Sequence, residues 1–261
     1  MKAFEFEVFP KINIFLKLIG REGGYHTLIS RLALVKDSFK DWIAVKPSSC
    51  FSLKGDFNCS LSQNTIYKML QILKNYLKPS LASCLEQLSI EVQKNIPVGA
   101  GLGGGSADAG VLLKELNTHL ELGLSLEQCY DIGAQVGSDV NFFISGFSSA
   151  NVYHFGEVVE SFEENPISIE ICTPLNTACE TPKVYQAFDS LPPPTKTGES
   201  WSATRSADLL KNFTQSTLND LYRPATTLYP TLREFEAGLD PQFKWFFSGS
   251  GSSFFRLKEE A

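Results

Sequence analysis

From Pro97 to Asp108 the chain reads Pro97-Val98-Gly99-Ala100-Gly101-Leu102-Gly103-Gly104-Gly105-Ser106-Ala107-Asp108, and five of the seven residues from Gly99 to Gly105 are glycine. In a packed core each glycine costs backbone entropy and contributes no side chain. Such a run serves where a backbone approaches a ligand closely with its N–H groups turned outward. The flanks say which ligand. Leu88, Ile90 and Val92 alternate with Ser89, Glu91 and Gln93, a strand that enters the run. Val111, Leu112, Leu113, Leu116 and Leu120 mark a helix that leaves it, with Ser106 expected as its cap and Asp108 in its first turn. A helix start leaves N–H groups unpaired and carries roughly half a positive charge, so the junction is suited to phosphate.

Known phosphate loops fit this run only in part. Gly99, Gly101 and Gly104 satisfy G-x-G-x-x-G, but a dinucleotide fold places that motif in its first βαβ unit, and here it comes about 100 residues into the chain. Gly99, Gly104 and Ser106 fit a P-loop, except that Gly105 stands at the lysine position, which removes the β/γ-phosphate contact. The chain has no H-R-D and no D-F-G, which argues against a protein kinase. A flexible linker is disfavoured by the strand and capped helix on either side.

Around the run the periodicities alternate between two and 3.6. Phe4, Phe6 and Val8 form a strand pattern that Pro10 interrupts, so this strand is bulged or at an edge. Alternation resumes at Ile12, Ile14, Leu16 and Leu18, which puts Lys11 and Asn13 together on the opposite face. Gly20 to Gly24 reads as a hairpin turn that delivers Tyr25 and His26 to the next strand, through Leu28, Leu32 and Leu34. Ile66, Met69, Leu70, Leu73 and Leu77 predict a helix over 64–77, and a second over 126–136 opens on a Ser125/Gln128 capping box and stops at Gly137. Asp139 follows, just before the apolar run Val140–Ile144. Residues 151–162 read as a hairpin around Gly156, Pro192 to Ser200 as a surface loop, and Phe246–Phe255 as a closing segment with a Ser-Gly turn. No repeat of fixed period is present, and the mixed order of strands and helices predicts an α+β fold.

Composition limits the partners. With 43% hydrophobic residues and 20 Phe among 261, the chain has ample core for one large domain or two small ones. Its formal charge of −6 and the lack of a dense Lys/Arg tract argue against a nucleic-acid partner. No apolar run is long enough to span a bilayer, and the N-terminal segment does not read as a signal peptide, so no membrane partner is expected. The six cysteines form no C-x-x-C pair and have no His at metal-ligand spacing, consistent with a reduced, cytoplasmic protein.

Four segments, in order, resemble the GHMP kinases. They are Pro10-Lys11-Ile12-Asn13-Ile14-Phe15-Leu16-Lys17 with Gly24-Tyr25-His26, the glycine run, Gly137-Ser138-Asp139-Val140-Asn141-Phe142-Phe143, and Phe247-Ser248-Gly249-Ser250-Gly251-Ser252. Asn219-Asp220-Leu221 is a weaker match. The Pro-Lys-Ile-Asn and Gly-Tyr-His segments narrow the resemblance to the branch whose small-molecule substrate carries a cytidine diphosphate group. The resemblance implies a two-lobed fold. Its N-terminal lobe, residues 1–150, is ribosomal-S5-domain-2-like, its C-terminal lobe, 151–261, is a ferredoxin-like α/β lobe, and the active site lies in the cleft.

The implied reaction moves the γ-phosphate of ATP, with Mg²⁺ held mainly by phosphates and water, to the 2-hydroxyl of a cytidine-diphosphate-linked methylerythritol in isoprenoid biosynthesis. Asp139 is implied as catalytic base and Lys11 as its charge partner. Asn64, Lys94 and the run Pro97, Val98, Gly99, Ala100, Gly101, Leu102, Gly103, Gly104, Gly105, Ser106 and Ala107 are implied to bind ATP. Asn13, Tyr25, His26, Thr181 and Tyr185 are implied to bind the substrate, the two tyrosines enclosing its cytosine. No metal-ligating side chain is implied, and a monomer or weak homodimer is expected. The chain departs from the family pattern at Ala100, Ala107, Gly110 and Asn141. Two other readings compete: a GHMP kinase acting on a different alcohol, and a non-catalytic nucleotide- or RNA-binding module on a related fold.

Overall fold

The computed structural model describes residues 2–191 and 199–258, so most of the expected Pro192–Ser200 loop lies outside the described residues. In chain order the elements are β1 (Phe4–Val8), β2 (Lys11–Glu22), β3 (Tyr25–Leu34), β4 (Asp41–Pro47), β5 (Ser52–Lys54), α1 (Thr65–Lys74), α2 (Pro79–Leu85), β6 (Leu88–Gln93), α3 (Gly104–His119), α4 (Leu126–Val136) and α5 (Val140–Ser145). They continue with β7 (Ser149–His154), β8 (Val158–Ser161), β9 (Ile169–Cys172), α6 (Thr181–Asp189), α7 (Ser206–Asn212), α8 (Gln215–Leu218), α9 (Tyr222–Leu228), α10 (Thr231–Ala237), β10 (Phe246–Phe247) and β11 (Phe254–Leu257). Short 3₁₀ turns lie at Leu61–Gln63 and Glu199–Ala203. The α+β class expected from the sequence is observed.

The chain forms two compact units and passes between them more than once. The first gathers the residues up to Phe9, Phe39–Ile96 and Gly104–Gly146; the second gathers Pro10–Ser38, Pro97–Gly103 and the chain from Phe147 onward. The glycine run is therefore shared, with Gly103 in one unit and Gly104, the first residue of α3, in the other.

The first unit is a four-stranded sheet in the order β1-β4-β6-β5, antiparallel except for β5 and β6, with helices packed on it. The alternation in β4 and β6 buries Ile43, Val45, Ile90 and Val92 against Ile66, Met69 and Leu70 of α1 and Leu112, Leu113 and Leu116 of α3. Gly110 lets α5 approach α3: a Cβ there would sit 2.8 Å from the Val140 carbonyl oxygen and 2.9 Å from Phe143 Cβ. Asn141 is accommodated in the same way, since its Oδ1 lies where a Cβ on Gly133 would be. Two of the chain's departures from the family pattern thus fit this close helix packing.

The second unit holds a four-stranded antiparallel sheet, β2-β3-β7-β8, a three-stranded one, β10-β11-β9, and α6–α10. The turn between β2 and β3 is tighter than the predicted Gly20–Gly24: it is Gly23-Gly24 alone, both at positive φ, the type I′ geometry that matches strand twist. Pro10 does separate two edge strands, β1 of one sheet and β2 of the other. The predicted alternation through Leu18 needs correction. A bulge between Asn13 and Phe15 shifts the register by one residue, so Phe15 and Lys17 lie on the face opposite Lys11 and Asn13. Both faces of β2 are covered, and every residue from Lys11 to Leu18 is buried.

The face bearing Phe15 is closed by Arg31, whose guanidinium is fully buried. It donates to the carbonyls of Trp201, Ser202 (2.7 Å) and Thr204 and to Asn151 Oδ1 (3.0 Å), and stacks 3.4 Å from the Phe162 ring centroid. Burial lowers its pKa to about 10, partly offset by Glu164 and Tyr153, so it remains charged at neutral pH. Replacing it takes a donor from all three carbonyls and from Asn151 Oδ1, while Thr204 N still serves the Trp201 carbonyl and Asn151 Nδ2 that of Ser202. We expect Arg31→Met to lower the unfolding free energy by about 3 kcal/mol or more, read as a reduced urea midpoint at unchanged m in Trp201 fluorescence.

Candidate active site

The loop before α3 is held from one side. Its carbonyls each accept a hydrogen bond within the second unit: Gly99 from Cys179 N (2.9 Å), Ala100 from Ser253 N (3.0 Å), Gly101 from Ser248 Oγ (3.0 Å) and Lys11 Nζ (3.1 Å), and Leu102 from Lys11 N (3.0 Å). A trans peptide is planar, with C=O and N–H pointing in opposite directions. Four successive carbonyls turned inward therefore turn the N–H groups of Ala100, Gly101, Leu102 and Gly103 outward. The side chains agree: Ala100 and Leu102 are buried anchors, while Val98 is exposed. Gly101 must be glycine, because it has φ +72° and a Cβ there would overlap the Ser248 carbonyl.

The helix side of the cradle lies in the first unit. The helix begins at Gly104, so the expectation that Ser106 caps it is corrected: Ser106 is the third residue of α3. The glycine run turns directly into the helix, and its first-turn N–H groups come from Gly104, Gly105 and Ser106. A second helix start adjoins it. Thr65, the first residue of α1, donates through Oγ1 to the Gly105 carbonyl at 2.7 Å, and Asn64 caps α1 through Oδ1 to Ile66 N (2.9 Å) and Tyr67 N (3.3 Å). Two positive helix ends therefore lie side by side. The Asp139 turn is also in this unit, since a Cβ on Gly137 would be 3.8 Å from Ser106 Oγ. Asp139 is half-buried where α5 begins.

Lys94 stands at the base of α3. Its ammonium pairs with Asp108 at 2.7 Å and with Asp41, and its side chain is 8% exposed. Asp41 also accepts from Asn95 N (2.6 Å) and Ile96 N (2.8 Å), whereas Asp108 Oδ1 is buried without a hydrogen-bond partner. Burial accordingly pushes Asp108 up to about 7, against the pull of Lys94 and aided by Asp41. Burial alone would lower Lys94, but the two carboxylates outweigh it and its pKa is raised.

On β2, Lys11 is 3% exposed and donates to Asn13 Oδ1 at 2.7 Å; Asn13 Nδ2 in turn donates to Ser30 Oγ at 2.9 Å. Asn13 thus holds Lys11 in place. At the other end of the β2–β3 hairpin, Tyr25 is 72% exposed, its ring edge-on to Phe155 at 5.9 Å. The His26 ring lies 5.3 Å from Tyr185 and 5.6 Å from Phe188, and its Nε2 is 2.7 Å from Asp189 Oδ1, which also pairs with Arg21. Slight burial raises Asp189, but the hydrogen bonds from Arg21 and His26 outweigh it and hold the carboxyl below its usual range. Thr181 Oγ1 shares a 2.8 Å hydrogen bond with Ser250 Oγ of the Ser-Gly loop.

Sequence reasoning missed Asp41, Asp189, Phe188 and Phe155. For two of these a signal existed: Tyr185, Phe188 and Asp189 lie at i, i+3 and i+4 on α6, one helix face. His119 is stacked 3.9 Å from Phe4, and His154 lies between Glu22 and Glu157. All six cysteines are free, and burial pushes the Cys179 thiol up to about 12. Among the described residues no group of three or more His, Cys, Asp or Glu is placed to hold a metal ion, and no helix is long and apolar enough to cross a membrane.

An outward row of backbone N–H groups fits a nucleotide phosphate chain, and residues 64–151 match the model of the GHMP kinases N terminal domain. The chain is thus a small-molecule kinase of the GHMP class and uses ATP. It is 52% identical to a 4-diphosphocytidyl-2-C-methyl-D-erythritol kinase of Helicobacter pylori (strain HPAG1), over 97% of this chain and 94% of that one, and 39% identical to one of Sulfurimonas denitrificans, over 100% and 99%. A crystal structure of 4-(cytidine 5'-diphospho)-2C-methyl-D-erythritol kinase matches it with a TM-score of 0.76 at 28% identity, over 98% of this chain and 90% of that one. The chain belongs to the 4-diphosphocytidyl-2-C-methyl-D-erythritol kinase family.

The Lys94 cluster makes stability depend on pH. Asp108 rises from 3.8 to about 7 on folding, so between these values the native state keeps a proton that the unfolded chain has lost, and stability falls as pH rises through the window. Asp108→Asn abolishes that titration. We expect its thermal midpoint to match the parent near pH 4 and to exceed it by about 2–4 °C near pH 8, in paired calorimetric scans.

Proposed function

We propose that this chain transfers the γ-phosphate of ATP to the 2-hydroxyl of 4-diphosphocytidyl-2-C-methyl-D-erythritol, a step of the non-mevalonate route to isoprenoids. The single observation that carries the phosphate side of this reading is the set of four loop carbonyls turned inward, from Gly99 to Leu102. The N–H groups turned outward present the triphosphate with fixed dipoles that need no reorganisation as charge moves. Asn64, Lys94 and Pro97–Ala107 form the nucleotide end. Lys94 acts there through its ion pairs with Asp41 and Asp108, which set the start of α3. Mg²⁺ bound through phosphate oxygens and water supplies charge neutralisation.

Asp139 takes the proton from the acceptor hydroxyl, and Lys11 stabilises charge on the group in flight. Phosphoryl transfer is driven chiefly by positioning and electrostatics, so the cation shares with the base the work of lowering the barrier. Tyr25 and Tyr185 offer faces for the cytosine, His26 hydrogen-bonds its edge, and Thr181 and Asn13 address the diphosphate and polar groups of the substrate. The loop and both catalytic residues fall within residues 1–150, and Thr181, Tyr185 and the Ser-Gly loop within 151–261. Net charge −6 weighs against a nucleic-acid binder, and the protein is read as a cytoplasmic small-molecule enzyme, a monomer or weak homodimer.

The test is ATP consumption with and without the cytidyl alcohol. Turnover should require the alcohol, and Asp139→Asn should lower kcat by about 10²–10⁴. Lys11→Ala should lower it by about 10²–10³. Alanine at Tyr25, His26 and Tyr185 together should raise KM for the alcohol with little change in KM for ATP. Full activity of Asp139→Asn would overturn the base assignment, and ATP use independent of the alcohol would overturn the acceptor.

A further inference from the structure

The Asn219-Asp220 pair has no part in the chemistry above, yet both residues are nine-tenths or more buried. They add a single parallel rung to β2: Asn219 bridges to Leu16, and Asp220 N donates to the Leu16 carbonyl at 3.0 Å. Asp220 fixes this rung with both carboxylate oxygens, one accepting from Leu18 N at 2.9 Å and the other pairing with Lys17, whose ammonium also donates to the Thr217 carbonyl at 3.0 Å. Removing one partner of such a buried pair leaves an uncompensated charge, so the rung is firmly set.

From that rung Asn219 reaches the Ser-Gly loop. Its Nδ2 donates to the carbonyls of Phe247 and Gly249, both at 2.9 Å, and its Oδ1 accepts from Leu221 N at 2.9 Å. Both amide hydrogens and the amide oxygen are thereby engaged, so Asn219 acts on its surroundings through the loop it holds. That loop bears on the phosphate loop. Ser248 Oγ accepts from Asn13 N at 3.3 Å and donates to the Gly101 carbonyl at 3.0 Å, and Ser253 N donates to the Ala100 carbonyl at 3.0 Å. Gly101 and Asn13 are also the acceptors that hold the Lys11 ammonium.

We propose that Asn219 is a positioning residue for phosphoryl transfer. By clamping the carbonyls of Phe247 and Gly249 it fixes the Ser248 hydroxyl against Gly101 and Asn13, and so sets the orientation of both the outward N–H groups and Lys11. The residue type follows from the geometry. Two donors and one acceptor are needed on a one-carbon stem: aspartate lacks the donors, and glutamine is one carbon too long.

The inference rests on the reading of Lys11 and the loop as the phosphoryl-transfer site, and the experiment separates the two. Asn219→Asp places a carboxyl between two carbonyl oxygens. Its protonated form can donate to one of them, and its ionised form repels both. Its kcat should therefore approach the parent's near pH 6 and fall at least tenfold below it near pH 8.5, with KM values for both substrates changed less than about threefold. Asn219→Ala should show a lowered kcat that does not vary with pH relative to the parent. Ser248→Ala, which cuts the same linkage at its far end and leaves Asn219 in place, should reproduce that loss if either Asn219 variant fails to fold. In hydrogen exchange the amides of Gly251 and Ser253 should lose protection in all three.

Parent-like kcat from pH 6 to 8.5 in a folded Asn219 variant, or in Ser248→Ala where neither folds, overturns the positioning role. Lys11→Ala run alongside distinguishes the failures. If it keeps full turnover, the site reading falls; if it is inactive while the Asn219 and Ser248 variants are unimpaired, only the positioning role falls.

Discussion

The phosphate loop depends on where its carbonyls go. A glycine-rich segment has no side chains to fix it, and its freedom would cost roughly 1–2 kcal/mol per residue to order. Here the ordering is done from behind, by Cys179 N, Ser253 N, Ser248 Oγ and both nitrogens of Lys11. Ala100 and Leu102 pin the same face by burial. The outward N–H groups are the other side of the same peptide planes, so the bonds that stabilise the loop are also the ones that aim it.

Lys11 links this arrangement to the sheet. Its backbone N–H holds Leu102 and its ammonium holds Gly101 and Asn13, so one residue at the start of β2 serves as anchor and as cation. Burying such a group is costly unless its hydrogens are satisfied; Asn13 Oδ1 and the Gly101 carbonyl accept from it, and Ser30 and Ser248 in turn hold Asn13 and Gly101. The bulge at Ile14 suits that division. It places Lys17 on the opposite face, where it meets Asp220, and keeps the two lysines from competing for the same acceptors.

Local signals were legible and distant partners were not. The Ser125/Gln128 capping box is present as read, with Gln128 N on Ser125 Oγ at 3.2 Å and Ser125 N on Gln128 Oε1 at 3.0 Å. The hairpin around Gly156 and the helix after the glycine run are also present, since each is specified within a few residues. The start of α3 was misread at Ser106 because a serine resembles a cap even where glycines already provide the turn. Val140–Ile144, buried along its whole length, has no exposed face to reveal a period, and only the structure makes it a helix. Asp41, one partner of Lys94, and Asp189, one partner of His26, lie 53 and 163 residues away, and no local spacing encodes a pairing over that distance. The site was therefore readable as a set of segments but not as a network.

The ion pairs at Lys94 have a consequence for how the loop can vary. Because that ammonium is committed to Asp41 and Asp108, what the loop itself presents outward is peptide dipoles, which do not titrate. What the loop must conserve is volume and backbone shape. Exchanging one small residue for another, as at Ala100 and Ala107, leaves the direction of these dipoles unaltered. Drift in this segment is thus limited by the space around each Cβ, and the loop can change in sequence while remaining constant as an electrostatic object.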